Sequence, residues 1–452
     1  MKFTGFEALL AENASRTPDK AAFIFDSCGE IHSMSYTEFD REAHKRAKEL
    51  EREHCESVAI LKRASERWAI DMFGCVIAGK RTILLDVGQT TENTIYMIRH
   101  THAEKLLFDE DIFDSENLAK IESSLSKPTE PRVSGEGELL FFTSGTTELS
   151  KAVVLTPESL CSSAWNGQQM MQCYPEDTLL SVLPLNHVFG FVCAFLWPLS
   201  VGATIAFGRG LRFLAQDPAY FKATVISAVP SLVKFMVAYN AFNPELRTIL
   251  VGASPCDRET LDAVAKRKIS VRFGYGLTET SSGVAISLEG EDPFALAPCP
   301  DSKIIMADDG EIVLRSSCMM KGYYEDPQAT AAVLKDGALR TGDLGYLDSN
   351  GALHITGRKK DILVLDNGNK IYCNEWEEQL LKLLKVKELA VIIKNKRIIL
   401  VVVDEAKTAD ECWQVVNEFN KSKPFDTQIS DIELRSVPLP RTATGKIKRW
   451  AI

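Results

Sequence analysis

Four short stretches combine residue types that do chemistry on phosphates and carboxylates. The first is Thr143-Ser144-Gly145-Thr146-Thr147-Glu148-Leu149-Ser150-Lys151, set between the greasy runs 139–142 and 152–155. Its hydroxyls and backbone N–H groups are donors for phosphate oxygens, and Lys151 supplies a positive charge. It is not a Walker loop, because the second glycine is missing and a strand pattern follows where a helix should start. A polar surface hairpin is the plain alternative. The second stretch, 273–280, holds Tyr275, Gly276, Thr278 and Glu279. An aromatic ring can stack on a base, a hydroxyl can meet a phosphate, and a carboxylate can hold Mg²⁺. The alternative is a turn in which Glu279 caps a following helix. The third pairs Asp343, in Arg340-Thr341-Gly342-Asp343, with Arg358 fifteen residues on. Together they suit the two hydroxyls of a ribose, although a surface salt bridge is the commoner fate of such a pair. The fourth is the basic end, 438–449, where Lys446 is framed by Gly445 and Ile447. That setting suits a fixed ammonium rather than a solvated tail.

The elements around these stretches alternate strand and helix. Residues 223–230 read as a buried strand and 231–240 as a helix. A strand at 246–251, a helix at 257–267 and a strand at 269–275 follow. This rhythm predicts an α/β fold with mixed sheets flanked by helices, whose ligands sit beyond the carboxyl ends of strands. The last ninety residues differ. Asp-Asn-Gly-Asn at 366–369 is a hairpin turn signal between 361–365 and 370–373. A helix (374–384), two strands around Asn395, a helix (409–421) and a strand (431–437) complete a small α+β unit. Residues 361–452 carry 15 Lys and Arg against 14 Asp and Glu, while the rest of the chain carries −11. The expected organisation is therefore a large multi-layer domain, 1–359, and a small mobile domain, 360–452, with a hinge at Lys360.

Composition narrows the function. The chain has 452 residues, 45% hydrophobic and 25% charged, with a net charge of −10. That length implies more than one domain, and an acidic surface makes nucleic acid and anionic lipid poor general partners. Eleven cysteines in an odd, scattered set without CxxC suit neither a disulfide framework nor a zinc ribbon. They point to a reducing, cytoplasmic setting, and no secretory signal pattern opens the sequence. Residues 179–207 carry no charge beyond His187 and are long enough on paper to span a bilayer. Pro184, Asn186, Gly190, Pro198 and Gly202 break the stretch into strand- and helix-length pieces, so a buried wall is expected and no integral membrane segment.

Taken in order, 143–153, 183–190, 275–279, 341–343, 357–368 and 441–449 resemble the core motifs of the acyl-adenylate-forming superfamily. The resemblance runs the length of the chain, and 357–372 is most similar to its fatty acyl-CoA synthetase branch. It implies ATP, Mg²⁺ and coenzyme A as cofactors and a small carboxylic acid as substrate. On this chain, Thr143, Ser144, Gly145, Thr146, Thr147 and Lys151 would grip the β- and γ-phosphates. Tyr275 and Gly276 would pack on adenine near Gly252, Ala253 and Ser254. Thr278 would touch the α-phosphate, Glu279 would hold Mg²⁺, and Asp343 with Arg358 would take the ribose hydroxyls. Lys446 would bridge carboxylate and α-phosphate, Lys360 would be the hinge, and His187 would shape the acyl channel and its gate.

Departures from the family pattern stand in the loop, where Glu148, Ser150 and Ala152 replace glycine, proline and glycine. The stretch between Glu279 and Asp343 is also short. An amino-acid substrate would need a carboxylate in the pocket to balance its ammonium, and 179–207 offers none. Val182, Leu183, Leu185, Val188, Phe189, Phe191, Val192, Phe195 and Leu196 suit an apolar tail, although some of them are expected to be plain core. A fatty or aryl acid is expected, with a medium-to-long fatty acid first. The alternatives are an enzyme that loads a separate acyl carrier protein, and a non-catalytic nucleotide- or acid-binding relative.

Overall fold

A computed structural model describes residues 2–127, 136–143, 151–254, 256–359, 362–364, 370–394, 397–441, 447 and 449–452. They form an α/β fold of mixed sheets and helices divided into two compact units. The larger comprises Met1–Thr143, Ser150–Ile304 and Leu314–Leu339, and the second is built from Ile305–Val313 and Arg340–Ile452.

In the larger unit one sheet runs, in spatial order, Leu296–Pro298, Ser282–Ser287, Ser270–Leu277, Thr248–Val251, Val225–Ala228, Thr178–Ser181, Thr204–Phe207, Ala21–Ser27 and Glu30–Ser35. Its middle strands are parallel, short and buried along their length, as expected where helices cover both faces. The strand at 223–230 is shorter than expected because Pro230 opens the next helix, Pro230–Ala238; proline pre-sets the first helical turn. A second sheet orders Gly322–Tyr323, Ala152–Leu155, Leu139–Phe142, Arg81–Leu84, Ser57–Leu61 and Lys105–Phe108. The helix Pro157–Met170 leaves this sheet under a capping box between Thr156 and Ser159, which satisfies the free N–H groups of its first turn.

The uncharged stretch is broken as its prolines and glycines require. It becomes the strand Thr178–Ser181, the short helix Val188–Phe191, a π-helical turn Val192–Leu196, the helix Trp197–Val201 and the strand Thr204–Phe207. Among the described residues no helix is long and apolar enough to cross a membrane. Phe191 and Phe195 enter an aromatic core. Phe195 lies edge-on to Trp68 at 5.4 Å and stacks on Phe23 at 6.2 Å, and Phe191 meets Phe141 at 5.2 Å. Both are fully buried, so these two expected pocket residues are core.

In the second unit the strands Ala338–Leu347 and Leu353–Arg358 pair antiparallel. Ile362–Val364 and Lys370–Tyr372 form the expected hairpin arms. The three-stranded sheet Glu388–Lys394, Arg397–Val403 and Asp431–Arg435 packs on the helices Cys373–Leu384 and Ala409–Asn420 through Leu380, Leu400, Val416 and Phe419. This is the α+β arrangement that the periodicity implies. The boundary residue Lys360 lies outside the described residues.

Phe195→Ala should cost about 3–5 kcal/mol, the usual penalty for emptying a buried aromatic site. Denaturant unfolding of the variant checks this, and a midpoint equal to the parent's would mean that the aromatic cluster is not a packing centre.

Candidate active site

The hydroxyl-rich loop is carried by two buried strands of the second sheet. Leu139–Phe142 pairs antiparallel with Ala152–Leu155, and Thr143 N–H donates to the Lys151 carbonyl at 2.9 Å. The half-buried ends of the loop are therefore pinned to each other. Ser144, Gly145, Thr146, Thr147 and the substituted positions Glu148 and Ser150 lie outside the described residues.

Thr278 and Glu279 stand in a 3₁₀ turn, Thr278–Thr280, at the end of Ser270–Leu277. A strand, Ser282–Ser287, follows it, so Glu279 does not cap a helix. The turn is tight. A side chain at Gly276 would stand 1.6 Å from the Ser282 carbonyl, so only glycine lets the two strands approach. Ser281 and Ser282 both take positive φ, 50° and 98°, uncommon values for residues with side chains. Thr280 Oγ1 stabilises the turn by donating to the Leu277 and Ser282 carbonyls.

Sequence reasoning missed Tyr323, which organises this turn. Its phenol donates to Glu279 Oε1 at 2.7 Å, and Met320 N–H donates to the Glu279 carbonyl at 2.9 Å. Tyr323 also lies in the strand that pairs with Ala152–Leu155, opposite Val153, and the Lys151 ammonium sits 4.5 Å from its ring centre. Burial and the Glu279 carboxylate push the Tyr323 phenol well above its ordinary pKa, so it stays a donor. The signal available in the sequence was Gly322-Tyr323-Tyr324 ahead of Asp326-Pro327, an aromatic strand running into a proline-started helix.

Gly252, Ala253 and Ser254 follow the carboxyl end of Thr248–Val251, beside the strand that carries Tyr275. The register Val251↔Phe273 places Gly252 by Gly274, and a Cβ on Gly252 would stand 3.0 Å from the Phe189 ring. Ala253 adopts a positive φ of 70°. Tyr275 is buried. This is the place, beyond the carboxyl ends of parallel strands, where such sheets bind ligands.

His187 opens the short helix Val188–Phe191 and its carbonyl accepts from Phe191 N–H. Three residues on, a Cβ at Gly190 would meet the Pro184 carbonyl at 2.3 Å, which fixes glycine there. Burial lowers the imidazole pKa below 6.5, with Asp86 opposing. The pocket that adjoins this segment is lined by Ser163, Gly167, Met171, Cys193, Trp197 and Ile286 among others, and of the expected acyl wall Val192 lines it.

In the second unit Asp343 and Arg358 sit opposite each other in register, Arg358 Nε 2.7 Å from Asp343 Oδ1. Asp343 is buried, so this is more than a surface pair. Thr341 Oγ1 donates to the Ile312 carbonyl and accepts from Asp343 N–H, while Glu311 accepts from Gly342 N–H and binds Arg340 and Lys359. Burial works against the Glu311 carboxylate, but Lys359, Gly342 and Arg340 outweigh it and hold its pKa below the usual range. Near the chain's end Arg441 bridges to Ile447, Ile447 packs on the cluster of Ala390, Ile392 and Leu439, and Arg441 holds Glu388. Lys446 lies outside the described residues.

The residues fit a triphosphate-bound Mg²⁺. A hard divalent cation of this kind takes one or two carboxylates and completes its shell with phosphate oxygens and water. Glu279 is a single carboxylate oriented by Tyr323. Among the described residues no group of three or more His, Cys, Asp or Glu forms a metal cage of its own.

Comparison with known proteins agrees with this arrangement. The family model for AMP-binding enzymes matches residues 10–324. The chain belongs to that family. It is 27% identical to a 2-succinylbenzoate–CoA ligase of Listeria monocytogenes over 82% of this chain and 83% of the relative. It is 30% identical to an indoleacetate–CoA ligase of Aromatoleum aromaticum over 71% of this chain and 68% of the relative. Its fold matches the O-succinylbenzoate coenzyme A synthetase of Bacillus subtilis, solved with ATP and a magnesium ion, at a TM-score of 0.83 and 23% identity over 98% of each chain. The family expected from the motifs is therefore the family found.

Two outcomes follow. Tyr323→Phe removes a hydrogen bond to a charged acceptor, and should lower acid-dependent ATP–pyrophosphate exchange roughly ten- to hundredfold. His187 binds a proton in the unfolded chain near pH 6.5 but only at lower pH when folded, so its contribution is lost as pH falls below that value. His187→Gln should show a smaller drop in melting temperature than the parent between about pH 7.5 and about pH 5.5; an equal drop would mean that His187 does not titrate in this way.

Proposed function

We propose that the chain is an ATP-dependent, AMP-forming acid–CoA ligase acting on an aryl or other apolar carboxylic acid. The observation that carries this is the convergence on Tyr323 of Lys151, which closes the phosphate loop, and Glu279. Family membership and relatives named as CoA ligases support it. The relatives' acids, 2-succinylbenzoate and indoleacetate, favour the aryl side of the fatty-or-aryl expectation. An acceptor thiol on coenzyme A fits these names better than a separate carrier protein does.

A carboxylate is a poor acyl donor because its leaving group would be oxide. Its attack on the α-phosphorus of ATP expels pyrophosphate and makes a mixed anhydride with AMP; a thiol then attacks the acyl carbon and expels AMP. Two anions must meet in the first step, so positive charge has to be placed between them. Lys446 is assigned that position and Lys151 the loop phosphates. Thr278 contacts the α-phosphate, Asp343 and Arg358 hold the ribose, and Tyr275 with Gly252, Ala253 and Ser254 encloses the adenine. Mg²⁺ bound with the triphosphate at Glu279 would supply further charge neutralisation. Holding the reactants aligned is worth about 7–11 kcal/mol in well-oriented systems. The thiol needs the space of Lys446, so residues 360–452 turn about Lys360 between the two steps. Buried thiols such as Cys161, pushed up to about 12 by burial, are unreactive and suit a cytoplasmic protein.

Lys446→Ala should abolish pyrophosphate release from ATP and acid, yet retain thioester formation from supplied acyl-AMP. Both half-reactions are measured separately, and equal loss in the two would remove Lys446 from the first step.

A further inference from the structure

Glu311 is a charged residue only 3% exposed, and it opens the strand Glu311–Arg315 that lies beside the strand Ala338–Leu347. Its two oxygens have different partners. Oε1 accepts from Gly342 N–H at 2.9 Å. Oε2 accepts from Lys359 Nζ at 2.8 Å and from Arg340, at 3.0 Å from Nε and 2.6 Å from Nη2. Asp309 joins the same cluster: its Oδ2 accepts from Lys359 at 2.6 Å and its Oδ1 accepts from Glu311 N–H at 3.2 Å. Two carboxylates therefore face two cations.

Where these contacts fall along the chain gives them their meaning. Asp343 and Arg358 stand opposite each other in register, 2.7 Å apart. Gly342 is the residue before Asp343, and Lys359 is the residue after Arg358. One buried carboxylate thus grips the backbone beside one member of the pair and the side chain beside the other. Gly342 holds a left-handed φ of 71°, a conformation glycine adopts without strain. Thr341 fastens the same corner, donating to the Ile312 carbonyl at 2.7 Å and accepting from Asp343 N–H at 3.0 Å. Stability alone is a poor account of such a cluster, because the cost of desolvating buried charges offsets much of what their attraction supplies. Fixed geometry is what the cluster provides. A diol is met by two hydrogen bonds at once only where the carboxylate and the guanidinium already keep their places, so that binding does not have to order them.

Building on the ligase reading above, in which Asp343 and Arg358 hold the ribose of ATP, we infer that Glu311 is a positioning residue for that pair: by gripping Gly342 and Lys359 together it presets the Asp343–Arg358 geometry before the nucleotide arrives. Its own oxygens are taken up by the chain, so it acts through the pair. Glutamine in its place offers one acceptor oxygen and an amide NH₂ that repels a cation, and so serves Gly342 or the two cations but not both.

The test is calorimetric binding of ATP and of 2′,3′-dideoxy-ATP, each with Mg²⁺, to the full chain with no acid present. The parent should prefer ATP by roughly a hundredfold or more, the worth of two hydrogen bonds to charged groups. Glu311→Gln should lower that preference roughly tenfold or more, while affinity for the dideoxy nucleotide, which lacks both hydroxyls, is unchanged. Asp343→Ala should bring the preference close to one, and adding Glu311→Gln to it should change the preference no further, as expected of residues that act through each other. Lys359 is 37% exposed, and Lys359→Met leaves Glu311 paired with Arg340, so this variant should fold normally and lower the preference several-fold. It decides the question if Glu311→Gln does not fold. An unchanged preference in the folded variant, or losses that simply add in the double variant, would overturn the inference and make Glu311 a packing ion pair only. A parent that binds both nucleotides equally would take Asp343 and Arg358 off the ribose, and this inference would fall with that assignment. A parent that binds neither nucleotide would instead overturn the ligase reading itself.

Discussion

The arrangement of the site depends on one hydrogen bond, from the Tyr323 phenol to the Glu279 carboxylate. It joins segments forty-four residues apart. On one side the Met320 N–H fastens the same glutamate through its backbone. On the other, Tyr323 is paired to the strand that begins at Ala152 and its ring lies beneath Lys151. A cation at the loop closure and a carboxylate at the turn are thus held by the two ends of a single tyrosine. Neither charge is paired directly with the other, which would neutralise both; the phenol orients the carboxylate without cancelling its charge.

The turn that carries Glu279 is shaped by backbone. Gly276 lets two strands approach more closely than a Cβ allows, and Ser281, Ser282 and Ala253 hold left-handed backbone conformations around it. Such conformations cost energy and persist where surrounding contacts over-determine them. Here the contacts are the Thr280 hydroxyl, the Ser281–Ser159 hydroxyl pair and the flanking parallel strands.

The uncharged stretch between residues 179 and 207 serves two purposes. Its phenylalanines at 191 and 195 face an aromatic core, whereas Val192, Cys193 and Trp197 face the pocket. The π-helical turn Val192–Leu196 lies where this division falls. Wider turns of this kind displace side chains from the ordinary helical stripe and occur often at functional sites.

Much of this was legible in the amino-acid sequence. The strand and helix rhythm, the α+β character of the last ninety residues and the family were readable because they rest on local periodicity and on motifs whose residues are near neighbours. The pairing of Asp343 with Arg358 was readable for the same reason: fifteen residues of hairpin bring them into register. What lay beyond the sequence was decided by long-range packing. Tyr323 reaches Glu279 only because a two-residue strand docks on Ala152–Leu155, and Ser281 meets Ser159 only because a helix from one motif packs against the turn of another. A hydrophobic run shows that its side chains must leave water, but which of them face the core and which face a ligand is settled only when distant elements pack and compete for the same surface.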